Sequence, residues 1–491
     1  MKTRWITINS ILLLLAQITY SQTSTLEIRI KNQPDYPVVI GTLRGEKFSP
    51  LDTLELRRMN TNSTQKGVSW QFPVNASIGM YRAIFGQTTY ARVMDEPPQQ
   101  LDFIFNHENI ILETDFKAPL DSLKIVQSEE NLLWFNFLKK EQEFSDKLEL
   151  LEKEVDYFQA KLTEIKNAPD AKSSLREVET QMARKANAFN QMQLERNSFI
   201  EKLVQENENY FSTGLIKLFQ EPFQDGFLSR QERREYYQDE YFRYFDFSDE
   251  SLIHATVLTD KIFDYLVTFN QPGLSNKQRE MAYLKGVNKI MREIEQDNDE
   301  AANPVFDFVL DYLVTGFERL NMEGILIHLA ENYSAKLCQS DEKTTLQRKL
   351  EAQKMKTGTV VPDFTLNDLN GDPVTLMHVL KPKNLIVFWA SWCPHCTEML
   401  PQIKGWYNRV ENNELEIITV SLDTDKAKWQ QAVFDAGFEA FYNLSDLQEW
   451  DGDVAEKYNI YATPTMFIID DNLRILAKPI SVNEMIEYFG K

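Results

Sequence analysis

At 491 residues the chain is longer than one core can serve, because single hydrophobic cores stop growing near ~250 to 300 residues, so two or three domains are expected. A composition of 43% hydrophobic, 12% aromatic and 26% charged residues, with few glycines and prolines, excludes collagen-like, low-complexity and disordered classes. The formal net charge of -21 repels nucleic acid and anionic lipid head groups, so the attraction that dominates nucleic-acid affinity is missing and no nucleic-acid partner is expected.

The chain opens with the basic Met1-Lys2-Thr3-Arg4, then an apolar stretch centred on Ile11-Leu12-Leu13-Leu14-Leu15-Ala16, then Thr19-Tyr20-Ser21 with small residues at the first and third positions. These are the three parts of a secretory signal peptide spanning residues 1–21. The apolar run is shorter than the ~20 residues of a membrane span, and no cysteine stands near the cleavage point to carry a lipid. The mature protein is therefore expected to be soluble and exported, with no membrane span after cleavage.

Residues 22–125 carry short β runs separated by turn residues. Leu26-Glu27-Ile28-Arg29-Ile30, Trp70-Gln71-Phe72 and Leu101-Asp102-Phe103-Ile104-Phe105 alternate, Ile110-Ile111-Leu112 adds another run, and Pro97-Pro98 punctuates the region. The pattern predicts an antiparallel β domain without a cluster of catalytic residue types, suited to packing or partner binding.

Residues 126–355 read as an all-α region. Phe144, Leu148, Leu151, Val155, Phe158, Leu162 and Ile165 follow spacings of three and four. Ala168-Pro169-Asp170 interrupts them, and Leu175, Val178, Met182, Ala186, Phe189, Met192, Phe199 and Leu203 resume the rhythm. This predicts a long helical hairpin with facing apolar seams. The aromatic-rich stretch from Arg233 to Phe247 is interleaved with Glu and Asp, which favours core packing over base stacking. Amphipathic segments follow at 252–269, 279–294 and 305–350, where His254 and His328 read as structural.

A composition shift near Lys356-Thr357-Gly358 opens the last domain, 356–491. Residues 363–376 read as a β-hairpin turning at Asn370-Gly371. Strand 385–389 feeds a helix that starts at Cys393-Pro394-His395-Cys396. Strand 415–422, helix 426–436, a short helix at 454–458, strand 465–469, strand 473–476 and a last helix to Phe489 complete an α/β sheet with a mixed edge. Two thiols with two residues between them can close a small disulfide across the first helical turn. One cysteine attacks a substrate disulfide and the other resolves the mixed disulfide. Cys393, at the helix N-terminus, meets unpaired N–H groups and the positive end of the macrodipole, which favour thiolate, and so reads as the nucleophile. Cys396, one turn inside, is the resolving thiol, and a protonated His395 would add positive charge beside the sulfur and tune its pKa and potential.

Pro362-Asp363-Phe364, Asn370-Gly371, the run Phe388-Trp389-Ala390-Ser391-Trp392-Cys393-Pro394-His395-Cys396 and Ala462-Thr463-Pro464-Thr465 resemble the TlpA/ResA family of exported thioredoxin-like proteins, over residues 357 to 491. The β and helical regions resemble, more weakly, the N-terminal extension and helical insert of some envelope members. The resemblance implies a thioredoxin fold, the periplasm of a Gram-negative bacterium, disulfide exchange with protein thiols and disulfides, and a redox partner protein. It also implies substrate binding by Trp392, Thr463 and Pro464, with Thr463-Pro464 cis and offering a backbone edge beside Cys393. The central His is that of DsbA-type oxidants while the domain resembles reductants, so the direction of exchange stays open. Two departures stand out. Val387 occupies the position of the buried acid of thioredoxins, and Met399 that of the glutamate two residues before the helix proline, Pro401, with Glu398 one position away.

Of the three cysteines, Cys338 reads as a buried, inert thiol. A zinc site would need four ligands, and neither a second CxxC nor paired histidines are present, so no metal or other cofactor is expected. A peroxiredoxin would need a Pro-xxx-Thr-xx-Cys loop, which the residues before Cys393 do not supply. The competing reading from another class is an envelope scaffold that uses its helical and β domains while the redox domain is vestigial.

Overall fold

The computed structural model describes residues 24–58, 66–167, 172–296, 303–337, 344–409 and 414–490. The signal peptide read at residues 1–21, the turn at Ala168-Pro169-Asp170 and Cys338 lie outside the described residues. Contacts divide the chain into two compact units, Met1–Thr268 and Phe269–Lys491.

In the first unit, β1 (Thr25–Lys31), β2 (Val38–Arg44), β3 (Lys47–Leu54), β4 (Arg57–Arg58), β5 (Lys66–Gln71), β6 (Gly79–Gly86), β7 (Gln99–Phe105), β8 (Ile110–Asp115) and β9 (Lys124–Gln127) build two sheets, with the short helix α1 (Thr89–Val93) between β6 and β7. One sheet has the order β4-β5-β1-β8-β9 and the other β3-β2-β6-β7. Alternate residues from both sheets, among them Leu26, Ile28, Ile40, Tyr81, Phe85, Phe103, Phe105, Ile110 and Leu112, share one core, as a period of two dictates. The strand assignments at Leu26–Ile30 and Leu101–Phe105 coincide with β1 and β7, but the domain is not antiparallel throughout. β1 runs antiparallel to β5 and parallel to β8. The chain leaves the first sheet after β1 for β2 and β3, returns for β4 and β5, leaves again for β6 and β7, and comes back with β8 running in the same direction as β1.

The helices that follow are α2 (Glu129–Lys166), α3 (Lys172–Glu206), α4 (Phe211–Lys217), α5 (Arg230–Glu240) and α6 (Val257–Val267). Ser128 caps α2 by accepting from Asn131 N at 3.0 Å. Asn131 clamps the β7 backbone, accepting from Ile104 N at 2.8 Å and donating to Ile104 O at 2.7 Å. The buried Glu130 accepts from the backbone N–H of Ser212 at the start of α4, so a carboxylate meets orphan helix donors. Helices α2 and α3 lie side by side, with Lys185 paired to Glu154 and Arg196 to Glu141. Val155, Ala186 and Phe189 fill the apolar seam between them. Further on, Tyr241, Phe242, Phe245, Phe247 and Tyr265 pack ring against ring, which accounts for the aromatic-rich stretch as core.

Helices α7 (Asn276–Gln296), α8 (Pro304–Arg319), α9 (Glu323–Tyr333) and α10 (Thr345–Lys354) belong to the second unit. The helical stretch 126–355 is thus shared between two compact units, because amphipathic periodicity names the face a helix buries and not the core it joins. After them come β10 (Thr365–Asn367), β11 (Pro373–Thr375), β12 (Lys383–Trp389), α11 (Pro394–Tyr407), β13 (Leu415–Ser421), α12 (Lys426–Ala436), β14 (Tyr442–Leu444), α13 (Asp453–Lys457), β15 (Thr465–Ile469), β16 (Ile475–Ala477) and α14 (Val482–Phe489). β10 and β11 form the hairpin, turning where Gly371 adopts a φ of 95° that a side chain would strain. The main sheet has the order β14-β13-β12-β15-β16, with β12 parallel to β13 and antiparallel to β15. No sequence pattern marks β14, since Tyr442-Asn443-Leu444 is too short to show a period and its central Asn443 is polar. Burial of that Asn443 is met by bonds from Thr419 and to the Phe438 and Phe441 carbonyls.

Arg196 is 4% exposed and holds Glu141 through Nε at 2.9 Å while its Nη1 lies 3.0 Å from Glu221. Arg196→Ala would leave two carboxylates without their cation and is expected to cost about 3–5 kcal/mol in a denaturant titration. Lys153→Ala, which removes only the exposed pair with Glu149, is expected to leave the midpoint unchanged.

Candidate active site

β12 is buried from Asn384 to Trp389 because it is the centre of its sheet, flanked on both sides and covered on both faces. Its end is pinned by the Leu422 N–H, which donates to Trp389 O at 2.8 Å. The chain then turns through Ala390-Ser391-Trp392 into α11. Cys393 is the N-cap of that helix and Pro394 its first residue, a position where the missing N–H costs nothing.

Cys393 and Cys396 are joined as a disulfide, with Cα atoms 5.3 Å apart. Cys393 is 5% exposed and Cys396 fully buried, so the first cysteine is the more accessible of the two. Cys393 Sγ occupies the place of a capping oxygen: it accepts from the Cys396 N–H at 3.2 Å, while the Cys393 carbonyl accepts from Cys396 N and Thr397 N at 3.1 Å. On its other side, Cys393 Sγ lies 3.5 Å from the carbonyl oxygen of Thr463. The Thr463-Pro464 peptide bond is cis, as the resemblance implied. Trp392 is 50% exposed and its ring sits 6.1 Å from that of Trp450. His395 is exposed on the first turn of α11. Of the residues expected at the site, the Thr463 carbonyl lies beside Cys393 Sγ, and Trp392 and Pro464 are their neighbours in the chain.

The two departures persist in three dimensions. Val387 and Met399 are buried apolar residues, and Glu398 is exposed on the solvent face of α11. Among the described residues, no carboxylate is bonded to Cys396. A buried carboxylate does enter the site by another route, unnoticed in the sequence: Asp423, 2% exposed just past β13. It accepts from Ser391 N at 3.0 Å, from Ser391 Oγ and from Ser421 Oγ at 2.7 Å, and so ties down the turn that leads into Cys393. The only sequence signal for it is an acid directly after the predicted strand 415–422. Among the described residues no group of three His, Cys, Asp or Glu side chains is arranged to hold a metal ion.

Residues 357–478 match the AhpC/TSA family. The chain is 26% identical over 146 residues to the thiol-disulfide oxidoreductase ResA of Bacillus thuringiensis subsp. konkukian, covering 28% of this chain and 79% of that protein. It is 28% identical over 122 residues to ResA of Geobacillus kaustophilus, covering 25% of this chain and 68% of that one. Among solved structures, the thioredoxin domain of a thiol-disulfide oxidoreductase from Bacteroides vulgatus is 26% identical, with a TM-score of 0.26, covering 28% of this chain and 99% of that one. A thioredoxin-like protein from Bacteroides caccae is 20% identical, with a TM-score of 0.36, covering 53% and 94%. The C-terminal part of the chain is therefore a thioredoxin-like domain. It is similar to the thiol-disulfide oxidoreductases named ResA.

Asp423→Ala removes the acceptor of buried bonds, each worth on the order of 1.5–3 kcal/mol when one partner is charged. It is expected to lower the melting temperature measurably, with Asp423→Asn, which keeps one acceptor oxygen, falling between it and the wild type.

Proposed function

We propose that the protein is exported and exchanges disulfides with protein substrates through Cys393 and Cys396. The observation that carries this reading is the capping contact: the sulfur nearest to solvent receives an N–H from the first turn of α11, where a negative charge is favoured. With the pair reduced, Cys393 thiolate attacks one sulfur of a substrate disulfide. The substrate S–S bond breaks, its other sulfur leaves as thiolate and takes a proton from solvent, and a mixed disulfide forms. Deprotonated Cys396 then attacks Cys393 Sγ, restoring the bond present here and releasing the second substrate thiol. Two electrons pass to the substrate, and the same steps in reverse oxidise a substrate dithiol.

Trp392 and the Thr463-Pro464 edge supply the surface on which an extended substrate lies, and His395 acts on the sulfur's charge state from the exposed side of the turn. Export rests on residues 1–21, and no described helix is long and apolar enough to cross a membrane. A periplasmic setting and a redox partner protein are what the resemblance to the TlpA/ResA family implies. The vestigial-domain alternative is not favoured, because the cysteine pair, the capping geometry and the turn that holds them are all intact.

Reduction of insulin disulfides by the reduced full-length protein is the test. The wild type is expected to turn over, Cys393→Ser to abolish activity, and Cys396→Ser to accumulate mixed disulfides. A wild type that, like Cys393→Ser, neither reduces insulin when reduced nor oxidises a dithiol peptide when oxidised would overturn the proposal. The potential of the pair gives the direction: a value near about −270 mV marks a reductant and one near about −120 mV an oxidant.

A further inference from the structure

The loop that presents the Thr463 carbonyl to Cys393 is held from outside the thioredoxin-like domain. Tyr461, two residues before Thr463, donates its hydroxyl to Glu318 Oε1 of α8 at 2.9 Å. Glu318 is itself held by a cation, since Lys349 Nζ of α10 lies 3.7 Å from its other oxygen, 3.8 Å from Asp311 and 3.2 Å from Thr315 Oγ1. The neighbouring Arg348 reaches a second loop at the site, donating to Trp450 O at 2.5 Å, behind the ring that meets Trp392. Successive residues of one helix therefore reach the partner of Tyr461, on the loop that meets the sulfur, and the segment whose Trp450 ring meets Trp392. Burial, with Glu318 beside it, pushes the Tyr461 hydroxyl up from its ordinary pKa, so it remains a donor at any working pH.

We propose that Tyr461, Glu318 and Lys349 form a positioning relay that fixes the Thr463 carbonyl against Cys393 Sγ, making α8 and α10 working parts of the redox site. This rests on the disulfide-exchange reading. Two consequences follow from elementary electrostatics. A carbonyl oxygen 3.5 Å from the sulfur opposes negative charge there and favours thiol, so releasing the loop stabilises thiolate and shifts the pair toward its reduced form. The same carbonyl belongs to the edge on which substrate docks, so releasing it weakens docking more than the chemical step.

The test compares the full-length wild type with Tyr461→Phe, Glu318→Ala and Glu318→Gln. The first two are expected to raise KM for insulin roughly 2- to 10-fold, the range set by one hydrogen bond, with kcat nearly unchanged. They are also expected to move the glutathione equilibrium of the pair toward reduction by a similar factor. Glu318→Gln keeps an acceptor for the Tyr461 hydroxyl and is expected to restore most of both. Lower melting temperatures with wild-type KM and wild-type glutathione equilibrium would make the contact merely structural and overturn the relay. A wild type that neither reduces insulin nor oxidises a dithiol peptide would instead overturn the exchange reading, and the glutathione equilibrium would still decide the relay.

Discussion

The constraint on which the redox unit depends is the placement of one sulfur in the role of a helix cap. A cap must sit within hydrogen-bonding reach of a first-turn N–H, so the atom cannot drift without losing that bond. Cys393 Sγ meets the condition at 3.2 Å from Cys396 N. The strand before it is buried from Asn384 to Trp389, the turn between strand and helix is tied to Asp423, and Thr463 O lies 3.5 Å from the sulfur. Each attachment comes from a different part of the sequence, so the sulfur's position is overdetermined. That is what a group needs if its charge state is to be set by its surroundings.

How much of this was legible in the sequence depended on the range of the interaction. The CxxC motif after an apolar run placed Cys393 at a helix start because strand, turn and helix are consecutive, and each leaves a local pattern. Trp392 and Pro464 were accessible through family resemblance. Asp423 was not, although it lies directly after a predicted strand, because its value comes from a serine at residue 391 that no periodicity links to it. The same holds for Tyr461 and Glu318, which are separated by 143 residues. A hydrogen bond between single residues of distant segments has no signature in hydrophobic spacing.

The helical middle of the chain shows the complementary limit. Spacings of three and four identified helices, and the Arg233 to Phe247 aromatics proved to be core, but nothing in the pattern divided the helices between units at Thr268 and Phe269. The division becomes visible only through partners such as Lys349 and Arg348, which reach α8 and the loop at Trp450. α10 is on this view less a connector than a brace for the domain it precedes.

The order of the first sheet has a bearing on how the chain comes to be folded at all. Of the described strands β1 comes first in the chain, yet it takes the central place in its sheet, between β5 and β8, with Leu26 opposite Trp70 on one side and Ile110 on the other. Neither edge can be satisfied until its neighbour has arrived, and the later one lies 84 residues downstream. A nascent stretch shorter than that has no closed sandwich available to it.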